Sequence, residues 1–186
     1  MLTYVEITNK ILSLWTIFLQ VIILIIFVNL VFFRNRENTL LLFFKKHTFI
    51  LGFLSALGAF LLSLFYSEIV GFPPCELCWI QRIFLYPQLV LFSMELYKRD
   101  RSIVDFSIVF ATIGSLVSIY HVYVENGGTS GLSCATGTAI SGINQSSCSV
   151  RYIYEYGYIT MPVMALTLSL FIIVILMNYK YISRIR

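Results

Sequence analysis

Charge is scarce in this chain. Asp, Glu, Lys and Arg make up 12% of its 186 residues, against about 25% in an ordinary soluble domain. The same scarcity excludes disorder, which needs low hydrophobicity and high charge. Histidine occurs only twice, and no His/carboxylate cluster is present. There is no P-loop and no Gly-x-Gly-x-x-Gly, so the common phosphate cradles are absent. Four cysteines are few for a disulfide scaffold, and no internal repeat is evident. What remains is apolar: 59% of residues are hydrophobic and the mean hydropathy is +0.86. That composition belongs to an all-α integral membrane protein.

A spanning helix needs about 20 apolar residues, and five stretches qualify: 11–33, 48–67, 79–97, 103–124 and 158–177. The first, second and fifth carry no charge. The third holds Arg82 near one end and Glu95 near the other. The fourth holds Asp105 and His121, again near opposite ends. A β-barrel is excluded, because barrels show alternating segments of about ten residues. The first stretch reads as a retained helix rather than a signal peptide. Its leading residues are not basic, its apolar run is too long, and no small-residue cleavage site follows.

The net charge of +4 is topological and does not mark a nucleic-acid binder. Ten of the 13 basic residues flank one membrane face. Arg34, Arg36, Lys45 and Lys46 lie between the first two stretches. Lys98, Arg99 and Arg101 lie between the third and fourth, and Lys180, Arg184 and Arg186 follow the fifth. Basic loops stay inside, so the expected topology is N-terminus outside and C-terminus inside. All four cysteines then fall in the two outer loops.

Cys75 and Cys78 form a Cys-x-x-Cys pair at the entry to the third helix, and Cys134 and Cys148 lie in the loop 125–157. That loop is rich in Gly, Ser and Thr and is expected to be mobile. Two structural disulfides are one reading. It suits Cys134 and Cys148, since closing a 15-residue loop stabilises by roughly 3 kcal/mol in the entropy model. It suits Cys75 and Cys78 poorly, because so small a loop adds little and is easily reduced. Such pairs more often do redox work or bind metal. Four-cysteine zinc sites use two close pairs, and the second pair here is not close, so no metal is expected.

Position sharpens the redox reading. A helix N-terminus favours a thiolate at Cys78, and Arg82 follows one turn later on the same face. Arg82 also has a plainer reading, with its guanidinium reaching the lipid headgroups. His121, at a similar depth in the fourth helix, is either an interface residue or part of the same site. An arginine and a histidine beside a thiolate suit a polar, electron-accepting head group with a lipid-soluble tail, and a quinone has that chemistry.

The stretch Pro74-Cys75-Glu76-Leu77-Cys78-Trp79-Ile80-Gln81-Arg82 resembles the signature of the bacterial DsbB-like disulfide bond formation proteins, including their BdbC-type branch. Tyr86-Pro87, His121, the second cysteine pair and the run from Tyr156 to Pro162 add to the likeness, which covers about residues 48–178. The resemblance implies a four-helix bundle, here with one additional N-terminal transmembrane helix. It implies a domain over 48–178, preceded by an extra helix and linker (1–47) and followed by a basic tail (179–186). It implies an enzyme of the bacterial cytoplasmic (inner) membrane that reoxidises a DsbA-like thioredoxin-fold partner outside and passes two electrons to ubiquinone or menaquinone. Carried over by position, Cys134 receives the partner's thiolate, Cys148 exchanges with Cys75, Cys78 meets the quinone, and Arg82 and His121 hold the quinone oxygens.

Two departures stand out. Residues 1–47 lie outside the resemblance, and the interval from Cys134 to Cys148 is shorter than in the best-known enterobacterial members. The vitamin K epoxide reductase type has related chemistry, but usually places its loop pair before the Cys-x-x-Cys, the reverse of the order here. The rival from another class is a non-catalytic membrane protein stapled by two disulfides.

Overall fold

A computed structural model describes residues 2–32, 39–98, 101–129 and 148–185. Among these residues there are five long helices and no strands. They are α1 (Leu2–Phe32), α2 (Thr39–Leu64), α3 (Glu76–Lys98), α4 (Arg101–Glu125) and α5 (Met161–Ile185). Each is long and apolar enough to cross a membrane, which agrees with the five expected spans. The helices outrun the apolar stretches because a backbone leaving lipid keeps its internal hydrogen bonds into the polar interface. Basic residues such as Lys45, Lys98 and Lys180 therefore sit within helices.

Four helices close a ring. Helix α2 packs on α3, α3 on α4, α4 on α5, and α5 on α2. Helix α1 packs on α5, so α5 is covered on several sides. Half of its most apolar window is buried, against a third or less in the others. Phe171, Ile172, Ile175 and Leu176 of α5 form the centre of the core, with Phe92 of α3, Ala56 of α2 and Ile26 of α1. The exposed apolar residues, among them Trp15, Leu54, Ile83 and Leu116, form the outer surface that lipid covers.

Polar contacts fix α1 to this ring. The Gln20 amide donates to Thr167 Oγ1 of α5 (3.1 Å) and accepts from the Tyr158 hydroxyl (2.9 Å). Near the start of α1, Asn9 Oδ1 accepts from the Tyr66 hydroxyl at 2.5 Å. Side-chain hydrogen bonds of this type hold membrane helices together where lipid cancels the hydrophobic drive. Helix α1 is thus integrated by specific bonds as well as by packing.

Two helix ends depart from the simplest expectation. Helix α2 finishes in one π-helical turn, Phe65–Ile69, with Val70 N–H donating to Phe65 O (3.0 Å). Helix α5 begins at Met161, three residues after the expected 158. The delay comes from a tight turn. Tyr156 (φ 51°) and Gly157 (φ 80°) both take left-handed backbone, and Glu155 N–H and Ile159 N–H close the turn on Ile159 O and Glu155 O. Pro162 lies in the first turn of α5, where its missing N–H has no intrahelical partner to lose. Pro87, by contrast, is inside α3.

One close approach sets the α2–α3 packing. Phe92 is fully buried, and its ring occupies the space that a Cβ on Gly52 would need, at 2.3 Å. A methyl group there must displace a ring that has nowhere to go. Gly52→Ala is therefore expected to destabilise the bundle by about 1–3 kcal/mol. Thermal unfolding in detergent would measure it, and a midpoint unchanged from wild type would show that the α2–α3 contact is looser than drawn.

Candidate functional site

The site is built at the end of the bundle where α3 starts and α4 stops. Pro73 and Pro74 cannot donate hydrogen bonds, so α3 starts only after them. Cys75 O accepts the first helical bond from Trp79 N–H (3.1 Å), which makes Cys75 the N-cap residue. Its side chain also caps: Cys78 N–H donates to Cys75 Sγ at 3.3 Å. Serine or aspartate oxygen usually does this; here sulfur does. The cap draws the two sulfurs to 2.9 Å, where one thiol can donate to the other. Both are free thiols.

Helix α4 brings His121 and Glu125, one turn apart, against the pair. His121 Nε2 is 3.7 Å from Cys75 Sγ, and the imidazole is buried with no partner on Nδ1. Glu125 is buried too. Its Oε2 accepts from Thr160 Oγ1 (2.7 Å), and Oε1 lies 4.0 Å from Arg151 Nε. Arg151 Nη2 donates to Glu125 O and to Asn126 Oδ1, so it clamps the last turn of α4.

The segment after residue 147 folds onto this end. Cys148 is buried, disulfide-bonded, and packed in one cluster with Cys75, Leu77 and Val124. Cys134, the other expected loop cysteine, lies outside the described residues, as does most of the loop expected over 125–157. Tyr152 stacks on Phe72 (4.5 Å, 19°), which stacks on Tyr66 (5.9 Å, 11°). Cys75, Cys78, His121, Glu125, Cys148 and Tyr152 line a cleft of about 20 Å³, closed below by Met161 and Pro162. That is room for about one water.

Arg82 goes elsewhere. It stays one turn from Cys78, but its Nη2 donates to Ser63 O of α2 (3.2 Å) and its guanidinium covers the Trp79 ring at 4.9 Å. It does not line the cleft. The structure brings His121 to Cys75 and turns Arg82 toward the α2–α3 side. Cys78 is half-buried between these sides. Glu125 and Tyr152 were not among the expected site residues. Glu125 was read only as the start of the loop 125–157, and Tyr152 only as part of it.

The hydrogen bond to Cys78 and then burial push the Cys75 thiol well above its ordinary range, while His121 pulls the other way. Alkylation needs the thiolate, so Cys75 in the reduced protein should alkylate more slowly than a free thiol, whose pKa is about 8.5. Its rate should still be climbing at pH values where an ordinary thiol has levelled off. Cys78→Ala removes the sulfur partner and should move that profile down; His121→Ala should move it further up. Mass spectrometry of iodoacetamide-treated protein across pH reads both shifts. A Cys75 profile indifferent to Cys78→Ala would remove the thiol–thiol bond from the account.

Comparison with known proteins identifies the family. The family model "Disulfide bond formation protein DsbB" matches residues 45–178. The chain is 38% identical over 127 residues to Disulfide bond formation protein C of Bacillus subtilis, covering 67% of this chain and 86% of that one. It is 30% identical over 143 residues to Probable disulfide formation protein C 2 of Bacillus anthracis, covering 76% and 94%. It is 36% identical over 121 residues to the SPbeta prophage-derived disulfide bond formation protein B of Bacillus subtilis, covering 65% and 76%. No solved structure matches the chain at a significant level. With five membrane-spanning helices, a free Cys-x-x-Cys pair packed beside an oxidised cysteine, and a family match across all four helices of the ring, the chain belongs to the DsbB family of membrane disulfide-forming oxidoreductases.

Proposed function

We propose that this chain reoxidises a DsbA-like thioredoxin-fold dithiol on the extracytoplasmic face of a bacterial cytoplasmic membrane and passes the two electrons to a membrane quinone, ubiquinone or menaquinone. The observation that carries the reading is the packing of one disulfide-bonded cysteine against a free Cys-x-x-Cys pair. Cys75 and Cys78 are free, and the disulfide-bonded Cys148 packs against Cys75. Once the neighbouring pair is itself oxidised to a disulfide, electrons entering a loop disulfide can pass to it without large movement of either.

The sidedness rests on charge. Ten of the 13 basic residues lie, in sequence, between the first two helices, between the third and fourth, or after the fifth, and basic loops stay inside. The cysteine end then faces the oxidising compartment, where disulfides persist. The N-terminus lies outside and the C-terminus inside.

In this reading the partner's thiolate attacks Cys134 and frees Cys148. The Cys148 thiolate attacks Cys75 of an oxidised Cys75–Cys78 pair and frees Cys78. One S–S bond breaks for each that forms, and His121, at Cys75, is placed to give or take the thiol proton. A quinone supplies the two-electron acceptor. The donor set fits one on the α2–α3 side, where Trp79 and Ile83 are exposed and Arg82 can offer further N–H groups beside Cys78. The cleft on the His121 side is too small for a quinone ring. His121 therefore serves Cys75 in this account, and Arg82 holds the acceptor.

The direction needs a strong sink. A DsbA-like partner sits near about −120 mV, and each 30 mV in a two-electron couple is worth about 1.4 kcal/mol. The acceptor supplies the drive, and the protein supplies the route. A pair of purely structural staples is less well supported, because a stapling pair would be closed and Cys75 and Cys78 are free thiols.

Purified protein, a reduced thioredoxin-fold partner and a soluble quinone should give partner oxidation coupled to quinone reduction. Cys78→Ala should abolish it while the fold is kept; full activity in that folded variant would overturn the mechanism. Cys148→Ala should trap a mixed disulfide through Cys134. Trapping only through Cys148, in Cys134→Ala, would reverse the order of the loop cysteines.

A further inference from the structure

The cysteine pair and His121 do not need a redox partner to form a ligand set. Cys75 Sγ, Cys78 Sγ and a His121 ring nitrogen all lie within 4.8 Å of one another. We propose that, while the pair is reduced, Cys75, Cys78 and His121 form a three-ligand site for a thiophilic cation, Zn²⁺ by its chemistry. The site exists only in the dithiol state, so metal binding and disulfide formation exclude each other. The proposal rests on this geometry alone; only its effect on turnover depends on the function proposed above.

The distances can be tested against zinc stereochemistry. With Zn–S about 2.3 Å and Zn–N about 2.0–2.1 Å, a tetrahedral centre sets its ligand atoms roughly 3.6–3.8 Å apart. Cys75 Sγ to His121 Nε2 is already 3.7 Å. The two sulfurs, at 2.9 Å, must part by just under about 1 Å, a small rotation at one cysteine. Three protein ligands leave a fourth position open. The cleft beside the sulfurs has space for about one water there, and the Glu125 carboxylate on its wall can accept from such a water.

His121 Nε2 is the ring nitrogen that faces Cys75 Sγ, so the tautomer with its proton on Nδ1 presents a lone pair to the sulfurs. No electrons move when the metal binds. The cation takes two thiolates and a neutral imidazole, and the displaced thiol protons go to solvent. Removing the ion restores the free dithiol.

Two neighbouring features fix the specificity. Soft thiolates with one imidazole select Zn²⁺ or Cu⁺ over Mg²⁺ and Ca²⁺, which prefer oxygen. The loop pair is not required: the set uses His121 of α4 in place of a second close cysteine pair. The consequence for turnover is arrest. Thiolates bound to the ion can neither form the Cys75–Cys78 disulfide nor exchange with Cys148, so extracytoplasmic Zn²⁺ should hold the enzyme in its reduced state.

The test titrates full-length protein in detergent, anaerobically. Zn²⁺ is read by competition with a chromophoric chelator, and Co²⁺ is used as a spectroscopic probe for sulfur-to-metal charge-transfer bands. Reduced wild type should bind one Zn²⁺ per chain and give thiolate bands with Co²⁺; the same protein reoxidised should bind none. Cys134→Ser/Cys148→Ser should keep the reduced-state site. His121→Ala should weaken it by at least about tenfold, since even outer-shell partners are worth 10–100-fold. Reduced wild type without stoichiometric Zn²⁺ would overturn the proposal, as would loss of the site in the loop double variant. The wild-type comparison needs no substitution, so misfolding of a variant cannot decide it. A chain that binds Zn²⁺ but oxidises no partner would keep this site and lose the proposed function. A chain that oxidises a partner but binds no Zn²⁺ would do the opposite.

Discussion

Lipid offers a backbone no hydrogen bonds, so every peptide group that enters it must be satisfied within the chain. The arrangement of this protein follows from that constraint. The five spans are helices, and among the described residues irregular backbone appears only where helices stop. Chemistry that needs exposed sulfur and a turn in the chain is therefore confined to helix ends. At the end where α3 begins, the first N–H groups have no intrahelical acceptor. The chain answers one of them with sulfur: Cys75 Sγ accepts from Cys78 N–H. A cap that would ordinarily serve stability alone thereby fixes the two sulfurs 2.9 Å apart. The capping geometry and the reactive geometry are the same three-residue spacing.

The rest of the site is arranged around that cap by neighbouring helix ends. Helix α4 runs antiparallel to α3, so its last two turns arrive beside the first turn of α3, and His121 and Glu125 come with them. The turn at Tyr156–Gly157 delays α5 until Met161, which leaves residues 148–160 free to lie across the bundle end. The ring stack Tyr66–Phe72–Tyr152 then ties the end of α2 to the same segment. Through Asn9 and Tyr66, and through Gln20 and Tyr158, α1 braces both of these pieces. This is a structural reason for a helix that lies outside the family match.

The legible and the hidden parts of the molecule divide along physical lines. The five spans could be read directly, because a run of apolar residues long enough for a bilayer has few other uses. Cys75, Cys78 and Arg82 could be read as one group, because all three lie on one short helical stretch. Contacts that cross between elements were not readable. That His121 meets Cys75 rather than Arg82 depends on how α3 and α4 rotate about their axes, which the weak amphipathicity of membrane helices does not encode. Glu125 looked like a loop residue since nothing local reveals that Thr160 and Arg151 will close over it. Tyr152 shares its spacing with three other tyrosines and differs only in finding Phe72. The start of α5 was missed because Tyr is not expected in left-handed backbone.

The asymmetry of the cysteine pair has a further consequence. Cys75 faces a protein cleft that holds a histidine, a carboxylate and the disulfide of Cys148. Cys78 faces both that cleft and the α2–α3 side, where the exposed neighbours are apolar and Arg82 is the one nearby cation among the described residues. A single dithiol thus borders two media. On the cleft side, exchange with another sulfur is favoured by short distance and a nearby proton carrier. On the other side, a lipid-soluble molecule can approach without crossing polar loops. A shared pocket would force both reactants through one small opening of about 20 Å³. Under the proposed function, separate faces would let the pair be reduced from one direction and oxidised from the other, with the N-cap of α3 holding the sulfurs at the boundary.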